Sequence, residues 1–518
     1  MKSTNLIIAR NSFFFITFIA FSIQLFLLKN SNEFFCLLLL VFSNLLTTFY
    51  CFNKNIFFKV PITLMIIFFS HFINIGGTLY LKTLEISSIV SNLNQPLSTI
   101  STLIIFNLII IISHFFYQKN NFSNKLKNKL NFFITNLNLF KFDNKNFFYF
   151  IGFVAILSKY LIYDLNTPYY LQFTGELSIF KDILNGMNYI IYIPIILFFN
   201  KYLQNESIFK INNFYILIYL ILLTLIAIAR NNRSMLFDFF LLVILIFLFL
   251  YLLNKIQLNK KHFFLFFIIS FLAIPFANNL DKISTNFLIE RKNYFDRSPI
   301  ENVGSFFETL FLKSNRSNIL KNNKINIYDV FSEENYSSTL FNRISITKVH
   351  DNFFYIKKNI TFRKLNALKD IQINKIISII PGPIIRLFDR DFDKTKYISF
   401  STASYLYGSY DTGSATLNTG SSLMTMSIIF GSWSYLILLF CFIPVFIFFD
   451  SFYDVKKNIL SPYIIIFFYT TSMGIFNFLA ASDVYLWISF ILRTIPQTFL
   501  IIILLRLFFN FFDKSKIA

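Results

Sequence analysis

Two arginines, Arg230 and Arg233, enclose Asn231 and Asn232 in a short connection between two apolar runs. Paired guanidinium groups at such a turn make a fork suited to phosphate oxygens. The same pair would also serve simply to snorkel and fix the hairpin. Asp238, about one turn into the next run, is placed to pair with one of them, since a carboxylate inside an apolar span calls for a partner or a cavity. A second group is Arg343, Thr347 and His350. Their spacing is about two helical turns, so an amphipathic helix over 337–357 puts them on one face. A cation beside a neutral imidazole suits holding an anion while accepting a proton, and the alternative is a surface histidine on a solvated helix. A third group lies in Ile380-Pro-Gly-Pro-Ile-Ile-Arg386 and the charged string Asp389-Arg390-Asp391. The Pro-Gly-Pro turn is expected to be non-helical and to send 376–380 back toward a membrane. Arg386 and Arg390 stand as phosphate or sugar contacts, while the alternating charges read as a solvated turn and not as a metal site. Arg493 falls about nine residues into the last apolar run, a costly depth unless it faces a bundle interior.

The elements that must carry these groups follow from composition. With 55% hydrophobic, 20% aromatic and 14% charged residues and a mean hydropathy of +0.59, the chain of 518 residues lies outside the soluble globular range. The formal charge of +21 comes without a nucleic-acid reading motif. A positive-inside membrane protein accounts for it, and no nucleic-acid partner is expected. The excess of Phe accompanies excesses of Lys, Asn and Ile, as AT-rich coding produces, so the rings read as lipid-facing filler. Cys36, Cys51 and Cys441 all fall in apolar runs, which argues against a disulfide framework or a metal site. Lys2 and Arg10 before the first run read as a retained signal anchor.

A span needs roughly 20 apolar residues, and that ruler yields about twelve segments. They are 11–28, 34–52, 60–80, 99–117, 147–165, 187–203, 214–230, 234–253, 262–278, 423–449, 461–480 and 484–508. The expected fold is an all-α polytopic membrane protein with one large, partly helical extracytoplasmic loop. Spans occupy 1–278 and 422–518, and the loop domain occupies 279–421. Lys54, Lys59, Lys119, Lys125, Lys127, Lys129, Lys456 and Lys457 mark alternate short loops as cytoplasmic. Pro61, Gly76, Gly77, Pro194, Gly431, Pro444, Gly474 and Pro496 interrupt apolar runs. Freed backbone groups are tolerated there only against protein or a water-filled cavity. The chain has no period of 20 to 50 residues, which excludes a solenoid.

This arrangement resembles the bacterial O-antigen polymerases of the Wzy type, the oligosaccharide repeat-unit polymerases. The likeness rests on span number, one late periplasmic loop and three local elements. These are Arg233-Ser-Met-Leu236 opening a span, the Pro-rich stretch from Pro381 to Arg386, and Phe430-Gly431-Ser432-Trp433. Met424-Thr425-Met426 stands where the family carries an acidic residue, so that role is not transferred. The resemblance implies a glycosyltransferase of the bacterial inner membrane that uses no nucleotide, metal or cofactor. Its partners would be undecaprenyl-diphosphate-linked oligosaccharides, the bilayer and a chain-length regulator. Arg230, Arg233, Arg343, Arg386, Arg390 and Arg493 would contact diphosphate or glycan, with His350 first and Asp411 second as the base for the acceptor hydroxyl. Alternatives are an O-antigen ligase, with which His350-Asp-Asn-Phe-Phe354 shares a faint echo, and a lipid-linked oligosaccharide flippase.

Overall fold

The computed structural model describes residues 4–141, 145–162, 187–204, 213–229, 233–256, 299–311, 341–380, 382–400, 402–406, 421–431, 433–466, 488–489, 492–493 and 495–514. Apart from one hairpin, Tyr453–Asp454 against Ile459–Leu460, the regular structure among the described residues is helical. Among the described residues, four helices are long and apolar enough to cross a membrane: α1 (Thr4–Leu27), α2 (Ser31–Cys51), α3 (Pro61–Leu84) and α4 (Pro96–Lys119). They fall on the first four expected spans.

The distribution of side chains in these helices suits lipid and not water. On α2, Phe35, Phe42 and Phe49 recur at seven-residue spacing and are exposed, while Ser43, Asn44, Thr47 and Thr48 are buried. Apolar surface turned outward and polar groups turned inward is the arrangement that a hydrocarbon surround favours. The exposed rings Phe15, Phe18 and Phe26 continue the pattern on α1.

The Pro and Gly positions act where the chain changes geometry. Pro61 opens α3 at its first turn, where its missing N–H costs nothing. At the Gly76-Gly77 pair α3 widens into a π-helical turn, Phe72–Gly76, before resuming. Residues 187–203 are not one α-helix as expected. Pro194 lies in a 3-10 stretch, Ile193–Phe199, followed by the short turn Asn200–Leu203. The expected span 423–449 divides at Gly431, whose φ of 77° ends a helix.

Further helices are α5 (Asn121–Asn136), α6 (Lys145–Ile162), α7 (Asn213–Ala229), α8 (Arg233–Leu252), α9 (Pro299–Phe311), α10 (Thr347–Asn359), α11 (Phe362–Ile377), α12 (Ser422–Phe430), α13 (Ser434–Asp450) and α14 (Ile495–Lys514). α5 was expected to be a plain loop. Asn120 caps its start, its oxygen accepting from Phe122 N at 2.9 Å. The helix expected over 337–357 is instead two pieces, Phe341–Ile344 and α10, with a break at Ser345 and Ile346. The last α-helix begins at Ile495, and Leu492 and Arg493 shortly before it have π-helical geometry. The expected span 262–278 and most of 461–480 lie outside the described residues.

Two compact units emerge from the internal packing: Met1–Lys141 with Leu252–Asn254 and Ile344–Leu500, and Phe142–Tyr251 with Lys255–Arg343 and Ile501–Ala518. Ile344–Leu500 thus belongs to the same unit as the first four helices. Within the first unit, α4 packs against α2 and α13, and α11 against α12. Thr63 N and Oγ1 donate to Asp450, Lys127 Nζ to the Lys59 carbonyl and Asn131 Nδ2 to the Ser451 carbonyl. These bonds gather the C-terminal ends of α4 and α13, the start of α3, and α5 at one end of the unit. Within the second unit, Gly152 of α6 allows a close approach, since a Cβ there would lie 3.0 Å from the Tyr219 ring. Tyr192 Oη donates to the Met235 carbonyl at 2.9 Å.

Candidate functional site

The π-helical turn of α3 leaves carbonyl groups that the α-helical ladder would otherwise use, and such turns recur at functional sites. Here they are served from outside the helix. Ile346 N donates to the Ile73 carbonyl at 3.1 Å, Thr347 Oγ1 to the Asn74 carbonyl at 2.8 Å, and Asn44 Nδ2 to the Gly76 carbonyl at 3.4 Å. Thr78 Oγ1 meets Thr347 Oγ1 at 2.5 Å and Ser345 Oγ at 3.1 Å. The break before α10 thus lies on the turn in α3. Its buried backbone is paired, as non-helical chain enclosed among apolar helices requires.

His350 stands one turn into α10 with no exposed surface. Asn74 Nδ2 donates to the Ser70 carbonyl at 2.7 Å, which leaves Asn74 Oδ1 facing the imidazole. The Nε2–H of His350 therefore donates to Asn74 Oδ1 at 2.8 Å, and Nδ1 accepts from the Ser421 hydroxyl at 2.7 Å. Ser421 caps α12, its oxygen also accepting from Met424 N at 3.2 Å. Burial pushes the His350 pKa down to about 3, so the ring is neutral at physiological pH.

Asp351, the next residue, is also fully buried and anchors the chain entering α4. It accepts from Asn94 N at 2.5 Å, Gln95 N at 2.8 Å and Thr99 Oγ1 at 3.0 Å, and pairs with Lys348 Nζ at 3.4 Å. Burial lowers the Lys348 pKa, and the Asp351 charge works against that shift. Two backbone N–H groups, a hydroxyl and an ammonium satisfy this carboxylate, which is what lets it sit away from water.

Ser421, His350 and Asn74 follow the order hydroxyl, base and orienting group that activates a nucleophile. Both ring nitrogens are engaged and the ring is enclosed, so in this conformation the set orders the chain. A substrate would reach the imidazole only if the contact between α10 and α12 opened.

The other expected site residues distribute as follows. Arg233 is the first residue of α8, and Arg343 and Arg386 lie in the helices Phe341–Ile344 and Gly382–Phe388. The placements of these three side chains, and of Arg230 and Asp411 altogether, lie outside the described residues, as does the Asp238 side chain. Gly382–Phe388 is helical directly after Pro381, where a non-helical turn was expected. Arg390 is exposed in a turn closed by Asp391 N donating to Asp389 Oδ1 at 3.1 Å, in keeping with a solvated charge string. Arg493 is half-buried. Arg343 does not share a continuous helix with Thr347 and His350, whereas Thr347 and His350 do engage the same turn of α3.

Asn74, Thr78, Asp351 and Ser421 escaped the sequence reading. Their signal was faint: an asparagine and a Gly-Gly pair inside an apolar run, and an aspartate beside the one histidine outside the runs.

In the second unit a cavity of about 330 Å³ opens between α7, α8 and α9. Leu220, Leu223 and Thr224 of α7, Met235 and Phe239 of α8, and Phe307 of α9 line it. Met235 follows Arg233 by two residues, so the cavity lies within a turn of the start of α8. Among the described residues no cluster of His, Cys, Asp and Glu is arranged to hold a metal ion. No family model, no curated protein and no solved structure matches the chain.

Proposed function

We propose that this membrane-embedded protein polymerises lipid-linked oligosaccharide repeat units. It transfers a growing glycan from undecaprenyl diphosphate to a sugar hydroxyl of a second lipid-linked unit, with the large polar interval on the extracytoplasmic side of a bacterial inner membrane. The bond between the anomeric carbon and the diphosphate breaks, the acceptor oxygen takes that carbon and releases its hydroxyl proton to the departing diphosphate, and the lipid diphosphate leaves with the bonding electron pair. Cations positioned at the leaving group lower the barrier by meeting that charge as it develops.

The observation that carries this reading is the apolar cavity beside the start of α8. A polyprenyl diphosphate needs a slot for its hydrocarbon and cations for its head, and the cavity lies within a turn of Arg233 in the Arg230–Arg233 connection. Its volume is within the range of ligand pockets. Within this reading His350 is a positioning residue that holds α10 against α3, because both of its nitrogens are taken.

The test is the surface-glycan ladder of cells carrying single variants at normal membrane levels. Arg233→Lys loses most polymer, since an ammonium does not reproduce bidentate contact with phosphate. Met235→Trp, which fills the cavity, does the same, and single repeat units accumulate in both strains. Full-length polymer from Arg233→Ala overturns the reading.

A further inference from the structure

α5 leaves α4 at a corner and runs across the end of the first unit. Asn120, with a ψ of 116°, separates the last residue of α4, Lys119, from the first of α5, Asn121. Three bonds then fix the course of the chain. Lys127 Nζ donates to the Lys59 carbonyl just before α3 at 3.1 Å, and Asn131 Nδ2 to the Ser451 carbonyl just after α13 at 2.8 Å. Beyond the end of α5, the Leu139 carbonyl accepts from Ser461 Oγ at 2.6 Å. A helix tied in turn to the ends of α4, α3 and α13 lies across the ends of the spans, at the level of a membrane surface.

With about 100° of turn per residue, α5 separates into three faces. Ser123, Lys127 and Ile134 are buried and fall within about 40° of one another. Phe122, Leu126 and Phe133 repeat that spacing one residue earlier and are exposed, Phe122 by 70% and Phe133 by 58%. Asn121, Asn124, Asn128 and Thr135, exposed and uncharged, lie roughly opposite the Phe122 stripe. Protein therefore covers one side, with an apolar stripe and a polar face to its left and right, as in a helix lying in the plane of an interface. The exposed Lys125 and Lys129 border the apolar stripe on the side away from the protein. Residues 119–141 contain five lysines and no aspartate or glutamate, so the charge of this segment complements an anionic surface. The stripe also follows directly on Phe115 and Phe116, the exposed rings near the end of α4.

We propose that α5 is an in-plane lipid-binding helix: Phe122, Leu126 and Phe133 enter the acyl boundary of the leaflet at this end of the unit, and Lys125 and Lys129 hold the phosphates of anionic phospholipids there. The two ammonium groups reach the headgroups along their own methylene stems, which lie beside the apolar stripe.

Tryptophan quenching in the full chain tests the proposal. Phe133→Trp is placed in a chain whose own tryptophans are replaced, Trp433→Phe and Trp487→Phe. The protein is reconstituted in phosphatidylcholine nanodiscs holding an equal mole fraction of either brominated phosphatidylcholine or brominated phosphatidylglycerol. Both brominated lipids are expected to quench the emission, the phosphatidylglycerol several-fold more strongly, while acrylamide in the water has little effect. Lys125→Gln with Lys129→Gln in the same reporter chain removes the preference and leaves quenching by brominated phosphatidylcholine in place. Phe42→Trp, on the exposed face in the middle of α2, serves as the control without preference. Quenching by acrylamide and not by brominated lipid places the stripe in water, and quenching by neither places it against another protein; either result overturns the proposal. Equal quenching by the two brominated lipids with both lysines present overturns the part given to Lys125 and Lys129.

Discussion

His350 donates to Asn74 across 2.8 Å although 276 positions separate the two in the chain. The bond ties the start of α10 to the π-helical turn of α3. Replacing Asn74 by Leu leaves the imidazole N–H buried without an acceptor, an effect on the order of 1–3 kcal/mol. The purified variant is expected to show a lower Tm, and an unchanged Tm would remove this bond from the account of how α10 is held.

Burial of the His350 ring makes the docking of α10 sensitive to acid. The folded pKa of His350, about 3, lies below its ordinary value of 6.5, so between those values the unfolded state binds more protons than the folded one. Its contribution is complete above pH 6.5 and declines as pH falls toward 3, by up to about 1.4 kcal/mol per pH unit. Hydrogen exchange of the amides in 347–359, corrected for the intrinsic rate, is expected to rise through that window and to be flat above pH 7.

Asp351→Ala strips four donors of their acceptor at once: Asn94 N, Gln95 N, Thr99 Oγ1 and the Lys348 ammonium. Removing one partner of a buried ion pair costs about 3–5 kcal/mol. Proteolytic cleavage between Glu85 and Gln95 should become faster in this variant than in Asp370→Ala, which alters the same kind of residue elsewhere in the interval.

Gly76→Ala brings a methyl group within 2.8 Å of His71 Nε2 and into contact with Asn44 Oδ1. The neighbours are buried and have little room to move, so overpacking of about 1–3 kcal/mol is expected, read as a lower Tm. Gly304→Ala, with open space around its added methyl, serves as the neutral comparison.

Asn92 lies between α3 and α4, near the α10 end of the first unit, and Lys457 follows α13 at the opposite end. Reporter fusions after these two residues are expected to report opposite sides of the membrane. The same side for both would contradict an arrangement in which α3 runs antiparallel to both α4 and α13 from one end of the unit to the other.

The placement of the first four helices was legible in the sequence, because each is a continuous apolar run whose length is dictated by its surroundings. Some of the positions where helices start, widen or stop were marked by residue type. Pro61 cannot donate, Gly76 and Gly77 permit close approach, and Gly431 tolerates a positive φ. The helical character of α5 was not legible, since its many Lys and Asn residues leave only Ser123, Lys127 and Ile134 buried against the rest of the first unit. Nor was the role of His350. A two-turn spacing put it beside Arg343, whereas the fold breaks the helix at Ser345 and gives the ring to Asn74 and Ser421. Local periodicity carries information about which face of a helix is apolar. The partner of a buried polar group is chosen by chain closure over hundreds of residues, and only the tertiary structure decides it.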